Sequence, residues 1–251
     1  MPTYQGGKAR IGNQIFKAIL RLEKGTKYEG KTYFEPFCGL AGVGLHFATK
    51  TPERKVELCD KNKDLILMLK KLQKGWIPPL QPCTKEKYDS LFESKKGSKT
   101  KKGSRIKNSA EKGFYSISCA YSGIIGGGFR VRDSKGNNFY KRARDGLIKL
   151  GKQIENTKIL VAKDYTKFSP RNKVIYVDPP YKGNNFRNEF FKDFDHVKFW
   201  ETMRKWSKNN LVFISEYTAP KDFKVVWTKK ISVVHSSNTR NKVEKLFMLK
   251  G

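Results

Sequence analysis

The chain predicts an α/β protein: a mostly parallel sheet covered by helices, closed by an antiparallel C-terminal hairpin and interrupted by an inserted region. Three observations predict it. Short β-branched and aromatic runs alternate with segments of helical apolar spacing over the first 73 residues. The same alternation resumes near residue 144, after a break rich in proline, glycine and lysine. Near the C-terminus two strand-like runs follow each other with no helix between them, which predicts antiparallel pairing.

Each element follows from its residues. Ile11, Ile15, Ala18, Ile19 and Leu22 recur at helical spacing and predict a helix over 9–24. Residues 31–37 predict a strand ending in Glu35-Pro36-Phe37, followed by a turn of small residues, Cys38-Gly39-Leu40-Ala41-Gly42. A helix is expected over 43–49, a second strand over 55–59 ending at Asp60, and a helix over 62–73. Pro78, Pro79 and Pro82 then break the pattern. Residues 94–107 are basic without a single acid, and their composition predicts a solvated loop able to order on a phosphate backbone. Residues 110–130 bring aromatics, Gly126-Gly127-Gly128 and Arg130, and read as an insertion that is not part of the sheet. The expected division is 1–77 with 146–251 as one domain and 78–145 as the insert. Beyond it come a helix over 144–155, a strand over 158–162 leading to Asp164-Tyr165, and a strand over 173–177. A helix over 194–207, a strand over 211–215 and the hairpin strands 224–227 and 243–249 complete the pattern.

With 251 residues, 37% of them hydrophobic, the chain can build one α/β domain and an inserted subdomain. Its formal net charge is +30, from 53 Lys and Arg against 23 Asp and Glu. Such an excess repels itself and points to a polyanionic partner, nucleic acid first. An anionic membrane fits less well, because no long basic helix with a clean apolar face appears. A lysine-rich proteome also raises the charge. Cys38, Cys59, Cys83 and Cys119 form no paired spacing and stand apart from His46, His196 and His235, so no metal site is expected. The cysteines read as reduced, in a cytosolic compartment. No apolar run opens the sequence and none reaches transmembrane length, so neither signal peptide nor membrane span is expected.

The chemistry concentrates at Asp178-Pro179-Pro180-Tyr181. These residues follow the buried-strand run 173–177, and the prolines stop the strand and stiffen the turn. In an open α/β sheet, ligands bind at the carboxyl ends of strands. The acid and a proline carbonyl can accept hydrogen bonds from an amine, and the tyrosine can stack on its ring. Asp60 and Asp164 end two other strands, and the glycine turn 39–42 ends a third. A glycine turn with an acid about 20 residues on suggests an adenosine-type cofactor. The chain lacks G-x-G-x-x-G and the P-loop pattern, which argues against NAD and against a P-loop hydrolase.

These motifs resemble those of the Dam-type, D12-class DNA adenine-N6 methyltransferases. The likeness rests on Tyr4-Gln5-Gly6-Gly7-Lys8, Phe34-Glu35-Pro36-Phe37-Cys38-Gly39, Asp60, Asp164, Asp178 to Tyr181 and the stretch Ser236 to Leu246 with Arg240 and Glu244. It spans nearly the whole chain outside 78–145. It implies a Rossmann-like methyltransferase sheet, S-adenosylmethionine as cofactor and double-stranded DNA as partner, in the cytoplasm or another DNA-containing compartment. Tyr4, Gly7 and Lys8 would help hold the cofactor. Glu35, Pro36, Phe37 and Gly39 would shape its methionine pocket, Asp60 would bind its ribose, and Asp164 and Tyr165 its adenine, with Asp178 facing it. A base inside a duplex cannot reach the cofactor and must flip out. Asp178 and the Pro179 carbonyl would then accept from adenine N6, with Pro180 stiffening the loop and Tyr181 stacking on the base. The insert becomes the target-recognition region, with Arg130, Arg132, Lys141 and Arg142 as its DNA contacts, arginines for bases and lysines for phosphates. Two departures stand out. Ala41 replaces the family's usual second glycine, which predicts a slightly shifted turn. Tyr121-Ser122-Gly123 carries Ser where GATC readers carry Asn, so that site is not expected.

Other readings compete. Cytosine-C5 chemistry needs a Pro-Cys nucleophile, and Pro82-Cys83 has no strand before it and no Glu-Asn-Val partner after it. Cytosine-N4 methylation uses a similar pocket, and Asp178 leans to adenine. Protein-glutamine enzymes usually carry Asn at that position, and RNA remains another acceptor. A non-catalytic basic binding module explains the charge but not the strand-end acids. A stand-alone methylase, a restriction-modification partner and a viral self-marking enzyme share such a sequence.

Overall fold

The computed structural model describes residue 4 and residues 6–92, 109–182, 194–235 and 238–251; for 122, 232–235 and 238–241 it describes the backbone course alone. The expected basic run 94–107, Gln5, Ser236, Ser237 and the Arg240 side chain lie outside the described residues. The first half of the chain forms α1 (Gly12–Glu23), β1 (Tyr33–Glu35), α2 (Gly44–Lys50), β2 (Val56–Leu58), α3 (Lys63–Gln73), α4 (Lys85–Phe92) and α5 (Ala110–Ser118). The second half forms α6 (Phe139–Gln153), β3 (Lys158–Ile159), β4 (Val174–Val177), α7 (His196–Ser207), β5 (Leu211–Glu216), β6 (Phe223–His235) and β7 (Asn238–Leu249).

The strands form one sheet in the order β3-β2-β1-β4-β5-β7-β6. Strands β1 to β5 pair in parallel, and β7 runs antiparallel to both β5 and β6. The chain first steps outward from β1 through β2 to β3, then returns to place β4 on the other side of β1. Strand order therefore reverses between β1 and β4. A crevice opens at such a point, outside the carboxyl ends of the two strands, and it is where α/β sheets bind ligands.

Side chains alternate along each strand, and this splits the core onto two faces. Tyr33, Val174, Tyr176, Leu211 and Phe213 join the cluster under α1, α2, α3, α5 and α6. Phe34, Ile175, Val177, Val212 and Ile214 join a smaller cluster with Phe199, Met203 and Trp206 of α7. Because both faces are covered, β4 and β5 are buried at every position. The four tryptophans, Trp76, Trp200, Trp206 and Trp227, are buried or half-buried.

Four elements differ most from the sequence reading. Helix α6 starts at Phe139 rather than near 144, because the Asn138 side chain caps it by accepting from the Lys141 amide at 2.8 Å. Helix α4 falls in the stretch read as proline-punctuated loop. Strands β6 and β7 outrun their predicted spans because they pair with each other from Phe223↔Leu249 to His235↔Asn238, well past the end of β5. Helix α5 lies outside the sheet, as read, and packs on α3, where the Asp64 carboxylate accepts from the Ser109 amide at 2.8 Å. Among the described residues no helix is long and apolar enough to cross a membrane.

Candidate active site

The segment after β1 is locked to the segment after β2 by backbone hydrogen bonds from Cys38 N to Cys59 O (2.8 Å) and from Cys59 N to Glu35 O (2.9 Å). Asp60 secures the glycine turn from the side. One of its oxygens accepts from Gly39 N at 3.0 Å and the other from Asn62 N at 2.9 Å. Gly39 adopts φ +49° with the Tyr4 ring over it. Ala41, at the departure from the family pattern, takes φ +53°, a left-handed conformation that costs an L-residue about 1–2 kcal/mol. A methyl group on Gly12 would run into the carbonyl of Gly42, so α1 approaches this turn backbone to backbone. That approach brings the Tyr4–Lys8 segment to the crevice.

At the crevice the Lys8 ammonium lies 2.8 Å from an Asp178 oxygen, 3.7 Å from Glu244 Oε1 and 4.7 Å from the centre of the Tyr181 ring. It also donates to the Gly6 carbonyl at 3.3 Å. The Lys8 and Asp178 side chains are 10% and 15% exposed, so water screens this pair little. The Tyr181 hydroxyl donates to Glu244, and the Tyr217 ring stands edge-on to Tyr181 at 4.8 Å. Pro179 and Pro180 are buried beside it. Glu216, at the end of β5, accepts from the Lys182 amide at 3.1 Å and so pins the far end of the Asp178–Tyr181 loop.

Burial is the main influence on the protonation of these acids. Burial pushes the Asp178 carboxyl up to about 6, with Lys8 pulling it down and Glu244 pushing it further up. Burial likewise pushes Glu35 up to about 8 and Glu216 to about 7, against the hydrogen bonds that favour their ionised forms. The Tyr33 hydroxyl donates to Glu35 at 2.9 Å. Asp164 behaves differently: burial raises it, but bonds from the Thr166 amide and hydroxyl and the Lys61 ammonium outweigh burial and hold it below the usual range.

The sequence-predicted residues fall into three groups. Lys8, Asp178, Pro179, Pro180 and Tyr181 meet in the crevice, and Tyr4, Gly7, Glu35, Pro36, Gly39 and Asp60 line the turn beside it. Phe37 and Tyr165 pack ring to ring at 5.2 Å on the α7 side of the sheet, next to Asp164. Arg130, Arg132, Lys141 and Arg142 lie apart from both, between α5 and α6 or on α6. The Arg130 guanidinium lies over both the Tyr121 and the Phe139 rings, at 4.9 and 4.4 Å, and faces Asp133 at 3.9 Å. Arg132 and Arg142 are exposed, and Lys141 pairs with Asp145 at 3.1 Å.

Sequence reasoning assigned no role to Glu216 or Glu244. Glu216 follows the rule that picked out Asp60, Asp164 and Asp178, an acid at the carboxyl end of a strand, and could have been found by it. Glu244 sits mid-strand in β7, antiparallel to the rest, and no strand-end rule reaches it. Among the described residues no cluster of His, Cys, Asp and Glu is arranged to hold a metal ion.

The chain is 26% identical over 232 residues to the type II methyltransferase M.MjaIII of Methanocaldococcus jannaschii, covering 82% of this chain and 79% of that protein. A precorrin-6y C5,15-methyltransferase from Geobacter metallireducens GS-15 aligns with 95% of this chain and 86% of its own at a TM-score of 0.36 and 8% identity. Residues 4–244 match the family described as D12 class N6 adenine-specific DNA methyltransferase, and the chain belongs to that family.

Proposed function

We propose that the protein binds S-adenosylmethionine in the crevice between β1 and β4 and methylates N6 of an adenine flipped out of duplex DNA. The observation that carries this reading is the Asp178–Tyr181 loop at the carboxyl end of β4, an acid and an aromatic ring side by side at the sheet's switch point. The donor set suits the cofactor. Asp60 uses one contact on each oxygen for the chain's own amides, which leaves lone pairs for a ribose diol. Tyr4, Lys8, Glu35 and Gly39 border the turn where its methionine portion belongs, and Asp164 with Tyr165 and Phe37 offers an acceptor and aromatic faces to its adenine. S-adenosylmethionine, when bound, supplies an electrophilic methyl group on a sulfonium sulfur.

The chain's own residues do the rest. Asp178 and the Pro179 carbonyl accept the two N6 hydrogens, which turns the nitrogen lone pair toward the methyl group. Positive charge develops on N6 in the transition state, and the Asp178 carboxylate stabilises it in a site that excludes water. With its pKa lifted to about 6, Asp178 is ionised at neutral pH and is basic enough to take the excess proton. Tyr181 stacks on the base, with its hydroxyl tethered to Glu244. The region 78–145 reads the target, with exposed Arg132 and Arg142 contacting DNA and Arg130 holding the aromatic platform of Tyr121 and Phe139. Such an enzyme works where DNA is, in the cytoplasm.

The test is transfer from labelled S-adenosylmethionine to unmethylated duplex DNA, with the product nucleosides separated by mass. N6-methyladenine is the expected product. N4-methylcytosine changes the base and keeps the pocket, and absence of any transfer overturns the reading.

A further inference from the structure

Lys8 presents a problem that the proposed reaction must solve. Its ammonium already occupies the surroundings that a target amine needs. It is hydrogen-bonded to Asp178, it sits over the face of Tyr181, and it donates to the Gly6 carbonyl. A flipped adenine presenting N6 to Asp178 and its ring to Tyr181 claims the same acceptor and the same ring. The ammonium and the base cannot both be there.

We propose that Lys8 is a placeholder for the target amine, and that Glu244 receives it when the base enters. This rests on the adenine-methylation reading above. Glu244 Oε1 lies 3.7 Å from Lys8 Nζ, longer than the roughly 2.7–2.9 Å of a charge-assisted hydrogen bond, so a swing of about an ångström closes the contact. The lysine stem is flexible enough for that movement. Glu244 is 1% exposed, and a buried carboxylate without a cation beside it is costly. Without the base, Asp178 and Glu244 share one ammonium. With the base, Lys8 pairs fully with Glu244, and Asp178 is free for the amine and for the charge that grows on it. Both carboxylates are then satisfied, so base entry does not strand a buried charge.

Glu244 is in this account a positioning residue with two duties. Its contact with the Tyr181 hydroxyl orients the stacking ring, and its charge draws Lys8 away from Asp178. The second duty separates it from a purely structural role. Glu244→Gln keeps an oxygen for the tyrosine but offers no charge to the ammonium, which then stays on Asp178 and obstructs the base.

The experiment compares kcat and KM of the full chain, Glu244→Gln, Lys8→Met and the double variant, using duplex DNA carrying the mapped target. Cofactor affinity and thermal unfolding are followed for each. Glu244→Gln is expected to lower kcat about tenfold or more. Adding Lys8→Met to it is expected to recover much of that loss, because no ammonium remains to be displaced. Losses that simply add, or a double variant worse than Glu244→Gln alone, overturn the placeholder. A crystal structure with the duplex and S-adenosylhomocysteine checks the same point without any substitution. Lys8 is expected on Glu244 with the base against Asp178, and Lys8 still bonded to Asp178 beside a seated base overturns the inference. If the unaltered chain transfers no methyl group to DNA, the adenine-methylation reading itself falls and takes this one with it.

Discussion

Lys8 Nζ lies 2.8 Å from Asp178 Oδ1, joining the segment before the first helix to the loop after the fourth strand, 170 residues later in the chain. This one contact brings the first of the family's motifs against the Asp178–Tyr181 motif at the switch point of the sheet. It also makes Asp178 the residue on which most measurable behaviour turns.

Asp178→Ala is expected to abolish detectable transfer while DNA affinity changes little, because the proposed DNA contacts, Arg132 and Arg142, lie elsewhere in the chain. Loss of a single group that stabilises transition-state charge lowers kcat by about 10²–10³. The check is single-turnover transfer alongside a gel-shift titration. DNA binding lost with transfer retained contradicts the assignment.

In the proposed reaction Asp178 accepts from the amine in its ionised form, and burial has pushed it up to about 6. The pH profile of kcat/KM, which reports the free enzyme, is therefore expected to fall on the acid side with a limb near about 6. Lys8→Met removes the cation that pulls this value down, so the limb moves to higher pH. The charged and ionisable groups around Asp178 are Lys8, Glu244, Glu216, Glu35, Tyr176 and Tyr181.

Stability carries its own pH signature. Glu35 and Glu216 rise from 4.5 to about 8 and about 7 on folding. The folded state thus binds their protons more tightly, so their contribution is fully present below the unfolded pKa. It is lost as pH rises through the folded values. The thermal midpoint is expected to fall as pH rises from 4.5 through 7 to 8, and Glu35→Gln should flatten the upper part of that fall.

Arg54 and Glu23 form a two-pronged buried pair at 2.6 and 2.8 Å, and Arg54 also donates to the Lys31 carbonyl at 2.7 Å. This ties the end of α1 to the chain entering β1 and β2. Arg54→Ala leaves a buried carboxylate without its cation and is expected to destabilise the fold by about 3–5 kcal/mol. Denaturant unfolding measures it, and a cost below about 1 kcal/mol, the level of an exposed pair, contradicts the assignment.

With a formal net charge of +30, DNA binding should weaken steeply with salt. If about 6–10 phosphates are contacted, affinity drops by about 10³–10⁵ between roughly 50 and 200 mM salt. A shallow slope in a fluorescence-anisotropy titration shows instead that most of the charge faces away from the duplex.

Much of this protein was determined by its sequence alone, for local reasons. The continuous β-branched and aromatic runs at 173–177 and 211–215 become strands buried on both faces, and the apolar spacing within 9–24 and 62–73 becomes helices α1 and α3. The parallel order and the C-terminal hairpin follow from which connections contain a helix. Asp178, Asp60 and the glycine turn were legible because strand ends and tight turns leave marks in adjacent residues. What the tertiary structure alone decided are the pairings between segments far apart in the chain. The sequence does not say that Lys8 reaches Asp178, that Glu244 holds Tyr181, or that Glu216 pins Lys182. It likewise hides that the Arg130 guanidinium lies over the Tyr121 and Phe139 rings. Each depends on strand register and on burial that only the assembled sheet creates: the pairing of β7 with β5 brings Glu244 to the crevice, and burial raises the Asp178, Glu35 and Glu216 carboxyls.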